Sequence, residues 1–270
     1  MIPVRFTKMS GAGNDFVVLD QEAAATIGAE LPAWARAACR RGLSVGADGV
    51  LVVGPDAKDR VRVDFLNPDG SVAFCGNGTR CAARYAFVRG WCSERVILAT
   101  PIGEVPAEMR GDVVRLVLPA PVDRGSLSLS ACGARFAGRW VDSGVPHFVV
   151  EVDDVASVPL ASIGPVLRAD AAWGPGGANV DVVSRTGDGS YHVRTWERGV
   201  ENETLACGTG AIAAALAARL AGASETVRIV PASGIPLTVT LPGDAGGPAR
   251  AELSGDARFV FEGTLSEEAG

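Results

Sequence analysis

The sequence has no run of lysine and arginine and no apolar stretch long enough to cross a bilayer, and only six cysteines and two histidines are present in 270 residues. Each shortage excludes something. Without a basic cluster, and with a formal net charge of −6, nothing is available to hold a nucleic-acid backbone or an anionic membrane surface. A small-molecule partner is expected instead. The longest apolar stretch, residues 211–218, is closed by Arg219 and is far too short to span a membrane. The first eight residues alternate like a strand and lack the basic, apolar and small-residue order of a secretory leader, so a cytoplasmic location is expected. Six cysteines are too few for a stapled scaffold, and in a reducing compartment they are free for chemistry. No two of them have the two-residue spacing of a zinc site, and His147 and His192 stand far apart, so no metal is expected.

What is present is mostly strand. Short β-branched or alternating segments recur at 16–20, 61–67, 96–100, 104–109, 113–118, 148–152, 191–196, 227–230 and 237–241. Helical patterns cover 32–41, 77–89, 160–168 and 208–221. This is an α+β chain rather than a strict alternation of strand and helix. Residues 119–130 interrupt the pattern with two prolines, a glycine and three serines, and are the expected linker between two halves. An internal echo supports two halves. Cys75-Gly-Asn-Gly-Thr is matched by Cys207-Gly-Thr-Gly-Ala, and each is followed by an alanine-rich helix. The second of these helices is apolar nearly all round, which predicts that a sheet encloses it.

In both loops the cysteine precedes Gly-X-Gly and a helix, so its sulfur should lie at the helix N-terminus. Unpaired N–H groups and the positive end of the dipole there favour a thiolate, and the glycines let a ligand approach the backbone. A carboxylate would be received by the same N–H groups. One thiolate taking an α-proton while a second thiol returns one to the opposite face would invert an amino-acid centre without a cofactor. Gly-rich turns also bind phosphate, but the Gly-Lys-Ser/Thr signature is absent and neither loop carries a lysine. Cys39, Cys81, Cys92 and Cys132 are read as small buried hydrophobes.

The motifs Lys8-Met-Ser-Gly-Ala-Gly-Asn-Asp-Phe16, Phe65-Leu-Asn-Pro-Asp-Gly-Ser71, Phe74-Cys-Gly-Asn-Gly-Thr-Arg-Cys81, Ala178-Asn-Val180 and Glu197-Arg-Gly-Val-Glu-Asn-Glu-Thr-Leu-Ala-Cys-Gly-Thr-Gly210 run through nearly the whole chain. In that order they resemble the diaminopimelate epimerase family. The resemblance implies two pseudo-symmetric halves, each a mostly antiparallel sheet rolled around a central helix, with the active site in the cleft between them. The halves would be 1–118, joined by a final strand at about 259–270, and 119–258. It also implies that Cys75 and Cys207 are the acid–base pair converting LL- to meso-diaminopimelate, a precursor of lysine and peptidoglycan. Asn14, Asn67, Asn179, Glu197 and Arg198 would hold the distal end of the substrate, Arg198 through its donor fork and Glu197 by accepting from an ammonium. Backbone groups of Gly76, Asn77, Gly208 and Thr209 would receive the reacting carboxylate. His147 would have a supporting role, although after Pro146 it could merely cap a turn. A homodimer is implied, and no cofactor. Where family members often carry Gly-Asn-Pro-His, this chain has Gly144-Val-Pro-His147, so position 145 is not a ligand candidate.

Two rival expectations remain. A proline or hydroxyproline racemase also uses two cysteines, but its substrate has no distal end for Glu197, Arg198 and Asn14 to hold. A non-catalytic amino-acid-binding protein would keep the scaffold and leave the substrate α-carbon unexchanged.

Overall fold

Residues 16–19 and 50–53 are apolar without alternation, and both runs are buried in the computed structural model of the chain. A strand of that kind must be covered on both faces. The structure describes residues 3–244 and 247–266. It divides into two compact units, one comprising Met1–Leu116 with Gly255–Gly270 and the other Val117–Ser254. Residues 1–2 of the expected first half and 267–270 of the expected returning segment lie outside the described residues, as do 245–246 of the second half. The helices are α1 (Gln21–Ile27), α2 (Leu31–Ala38), α3 (Gly76–Val88), α4 (Leu160–Arg168) and α5 (Gly208–Leu220).

In the first unit the strand Arg258–Leu265 pairs antiparallel with Val4–Gly11, which pairs antiparallel with Asn14–Asp20. The order continues through Gly49–Ala57 (parallel), Arg60–Leu66 (antiparallel), Arg95–Thr100 (parallel), Gly103–Arg110 and Val113–Leu118 (both antiparallel). The second unit repeats that succession of pairings. It runs from Val122–Ala131 through Ala134–Asp142, Pro146–Glu151, Asn179–Arg185, Tyr191–Glu197, Thr226–Pro231 and Leu237–Thr240 to Ala251–Asp256. The sheets are therefore mostly antiparallel, with two parallel pairings at equivalent places. In each unit a short strand, Val72–Ala73 or Asn202–Thr204, pairs with the strand that leads toward the cysteine loop.

Each sheet curls around one helix. α3 packs against the strands that begin at Val4, Asn14, Gly49, Arg60, Arg95 and Gly103, and α5 against those beginning at Ala134, Pro146, Asn179, Tyr191, Thr226 and Leu237. Small residues make this enclosure possible. Ala82, Ala83 and Ala86 on α3, and Ala211, Ala213, Ala214 and Ala215 on α5, are almost fully buried. Ile212 and Leu216 fill the remaining volume, each contributing about 1.5–3 kcal/mol by burial. The outer faces are covered separately. Trp34, Ala35 and Ala38 of α2 pack with Val17, Leu19, Val50 and Val52, while Leu160, Ile163 and Leu167 of α4 pack with Phe148, Val150, Val180 and Trp196.

Two expectations are corrected. Most of the proposed linker is the ten-residue strand Val122–Ala131, whose serines occupy the more exposed positions of an alternating pattern. It forms a hairpin with Ala134–Asp142 through Cys132 and Gly133, both at positive φ (50° and 79°). That two-residue turn favours left-handed conformations. Cys132 consequently sits exposed at a hairpin tip instead of in the core, and Cys92 is only partly buried, while Cys39 and Cys81 are buried as expected.

Candidate active site

In the first unit Cys75 leaves the sheet in an extended conformation (φ −136°, ψ 113°) and is the N-cap of α3. Its Sγ accepts from the Gly78 N–H at 3.4 Å, and its carbonyl accepts from Thr79 N–H and Oγ1–H, each at 2.8 Å. Gly78 is glycine for a packing reason, because an added Cβ would stand 3.1 Å from Leu51 and 3.3 Å from Phe16. Gly76 opens the helix, and Asn77 is buried with its amide N–H donating to Asn14 Oδ1. Asn14 in turn donates to Asp48 Oδ2 at 3.0 Å, and Arg41 bridges Asp15 and Asp48. Lys8 lies 2.7 Å from Asp15. Burial works against the Asp15 carboxylate, but bonds from Arg41 and Lys8 hold its pKa below the ordinary value. Asn67 is placed differently. Its amide donates to Ser71 Oγ at 3.0 Å inside the 67–71 turn.

In the second unit Cys207 repeats the geometry (φ −119°, ψ 116°), with Sγ accepting from Gly210 N–H at 3.4 Å. Gly208 opens α5, and Thr209 Oγ1 lies 3.3 Å from the sulfur. His147 does not cap a turn. It is wholly buried in the strand Pro146–Glu151, with Nδ1 2.6 Å from Asp181 Oδ2 and Nε2 3.1 Å from Thr209 Oγ1. Asn179, at the start of the next strand, places Nδ2 3.2 Å from His147 Nε2 and accepts the Arg198 N–H at 2.7 Å. The Arg198 guanidinium lies 3.4 and 3.3 Å from the carbonyls of Gly176 and Gly177. Glu197 Oε2 accepts from Thr204 Oγ1 at 2.9 Å.

The two loops are alike in backbone and unlike in burial. Burial pushes the Cys207 thiol well above its ordinary value, and the Glu197 and Asp181 carboxylates add to that, against the smaller opposing effect of the Thr209 and Gly210 hydrogen bonds. The helix N-terminus therefore does not suffice to make Cys207 a thiolate in this structure, contrary to what its position alone suggests. Cys75 is only partly buried, and its helix carries Arg80, a wholly buried cation whose Nε donates to the Asp256 carbonyl at 3.3 Å. Burial lowers the Arg80 pKa, while a charge on Cys81, Asp256 or Cys75 favours its protonated form.

Sequence reasoning missed Asp48, which holds Asn14, Arg41, which bridges Asp15 and Asp48, and above all Asp181. A signal existed for the last, since an aspartate between Val180 and Val182 in a β-branched run must be partnered if it is buried. Among the described residues no group of three or more His, Cys, Asp or Glu is placed to hold a metal ion. No described helix is long and apolar enough to cross a membrane.

The family model for diaminopimelate epimerase matches residues 6–125 and 139–259. The chain belongs to the diaminopimelate epimerase family. Among its relatives is the diaminopimelate epimerase of Aquifex aeolicus, 38% identical over 98% of this chain and 99% of the relative. That of Archaeoglobus fulgidus is 38% identical over 97% and 96%. Solved structures share the fold at much lower identity. A PhzF-family phenazine biosynthesis protein from Bacillus anthracis superposes with a TM-score of 0.77 at 16% identity, covering 98% of this chain and 100% of that one. A probable proline racemase from Agrobacterium radiobacter gives 0.73 at 15% identity, covering 98% and 93%. Membership of the family therefore rests on the sequence matches, and the structures show the scaffold alone.

Proposed function

We propose that this chain epimerises LL-diaminopimelate to meso-diaminopimelate without a cofactor, with Cys75 and Cys207 as the acid–base pair. The observation that carries the reading is the repeated cap. Each sulfur sits at the N-terminus of a buried thirteen-residue helix and accepts the N–H three residues on. In the LL-to-meso direction the thiolate of one cysteine removes the α-proton, and the thiol of the other delivers a proton to the opposite face. Negative charge building on the α-carboxylate is stabilised by N–H groups of Gly76, Asn77, Gly208 and Thr209, donors already fixed by the helices.

Asn14, Asn67, Asn179, Glu197 and Arg198 grip the distal amino-acid end in this reading. It is supported by polar side chains that neighbours already hold in place: Asn14 by Asp48, Asn179 by the Arg198 backbone, Glu197 by Thr204. His147 supports Cys207 through Thr209. As in the family's pathway, the product would supply lysine and peptidoglycan synthesis, and the protein would work in the cytoplasm as a homodimer.

The test is exchange in deuterated buffer under reducing conditions with no added cofactor, offering LL-diaminopimelate and L-proline separately. Label and inversion at the diaminopimelate α-carbon alone are expected, with inversion lost in Cys75→Ala and in Cys207→Ala. Label in proline would move the assignment to a racemase, and no label in either would leave an amino-acid-binding protein.

A further inference from the structure

Around His147 the position of each hydrogen follows from its neighbours. Asp181 and His147 are both wholly buried. The Asp181 carboxylate, which also accepts the Thr195 hydroxyl at 2.7 Å, faces Nδ1 at 2.6 Å and takes a hydrogen from it. On the other side of the ring the Asn179 amide has one orientation, because its Oδ1 accepts the Arg198 N–H at 2.7 Å. Its Nδ2–H therefore points at His147 Nε2, 3.2 Å away, and Nε2 must be a bare acceptor. The imidazole is neutral, with its hydrogen on Nδ1.

Thr209 Oγ1 stands between this acceptor and the sulfur, 3.1 Å from Nε2 and 3.3 Å from Cys207 Sγ. When Cys207 is a thiol, S–H donates to Oγ1 and the hydroxyl shares the single Nε2 lone pair with the Asn179 Nδ2–H in a three-centre bond. When it is a thiolate, the hydroxyl turns and donates to the sulfur, and Nε2 keeps the Asn179 donor. The hydroxyl hydrogen has an acceptor in either state, and the switch needs only rotation of one hydroxyl. With the ring hydrogen on Nε2 this freedom would be lost, because Nε2–H would oppose the Asn179 N–H and oblige the hydroxyl to point at the sulfur.

We propose that Asp181 is a positioning residue for Cys207: by holding His147 in its Nδ1–H form it leaves the Thr209 hydroxyl free to serve the same sulfur as thiol and as thiolate. This rests on the two-cysteine reading, in which Cys207 is the acid in one direction and the base in the other. The charged groups facing the sulfur, Glu197 and Asp181, act with burial to favour the resting thiol.

Two measurements, neither requiring turnover, test the inference separately from the epimerase assignment. With only two histidines in the chain, the ring nitrogens of 15N-histidine-labelled protein are readily assigned. The wild type should carry the His147 hydrogen on Nδ1 at about pH 7, and Asp181→Asn should move it to Nε2. A wild-type spectrum with the hydrogen on Nε2, or with a doubly protonated ring, overturns the proposal even if the variant fails to fold.

The second readout is alkylation of Cys207 by iodoacetamide, followed on its peptide by mass spectrometry. Asp181→Asn should raise the rate about tenfold, equivalent to about one pKa unit. Part of any gain could come simply from removing a negative charge, and Thr209→Val separates the two effects. In that background the gain should shrink to within about twofold. An undiminished gain would mean that Asp181 acts by charge alone, and the relay through Thr209 would be wrong.

Discussion

Replacing Cys75 by serine should abolish turnover and make the protein more stable. Cys75 caps α3 with sulfur, and the 3.4 Å contact to Gly78 N–H is long because the atom is large and a weak acceptor. A serine hydroxyl is among the best N-caps, stabilising by about 1 kcal/mol relative to alanine. The cysteine should lie between these limits. Because the residue is only half-buried, the new hydroxyl keeps access to water and incurs little desolvation. The expected gain for Cys75→Ser is about 0.5–1 kcal/mol over wild type, a rise in Tm of about 1–2 °C, with Cys75→Ala at or below wild type. Activity should fall at least about a thousandfold, because a hydroxyl cannot serve as base near neutral pH. Thermal unfolding followed by circular dichroism in reductant gives the order serine, cysteine, alanine if the reasoning holds. Serine no more stable than alanine would refute the cap as the structural role of this position.

The burial of Cys207 beside Glu197 and Asp181, against the half-buried position of Cys75, predicts that iodoacetamide modifies Cys75 faster than Cys207 in the unliganded protein. Peptide-resolved mass spectrometry reads this, and a faster Cys207 would contradict it. Burial pushes the Cys81 thiol up to about 12 from an ordinary 9.0. The stability that this shift contributes is complete below about pH 9 and is lost as pH rises toward the folded value, by about 1.4 kcal/mol per pH unit. Urea unfolding between about pH 9 and 11 should therefore be less pH-dependent for Cys81→Ala than for wild type, and equal slopes would show that the thiol is not buried in this way. Gly164→Ala places a Cβ 2.6 Å from Trp196 Cγ and should destabilise the second unit by about 1–3 kcal/mol. An unchanged urea midpoint would mean that α4 does not press on the indole.

The helices around which the sheets curl were legible because Cys-Gly-X-Gly stops a strand and starts a helix, and because the alanines on α5 leave no polar face. The strands at Gly49–Ala57 and Asn179–Arg185 were harder to separate from helix, since a run buried on both faces has no alternation. The linker reading failed because serine and glycine signify loop only when nothing pairs beside them, and Ala134–Asp142 pairs along nearly all of Val122–Ala131. At the site, the capping positions of Cys75 and Cys207 were visible in local spacing. The protonation of Cys207 was not, because it depends first on burial and then on Glu197 and Asp181, brought near by strand pairing across 10 and 26 positions of sequence. Asn67 lies in a motif that suggests a ligand, and the bond from its amide to Ser71 within its own turn could not be read from that motif.

The central claim is that two different groups act on one α-carbon, and the isotope content of early product and recovered substrate tests it most directly. In deuterated buffer at low conversion, meso-diaminopimelate formed from the LL isomer should carry solvent deuterium at the inverted centre, while recovered LL-diaminopimelate stays unlabelled. A single base that removes and returns the proton would give the contrary result, with label in the recovered substrate or the original proton retained in the product.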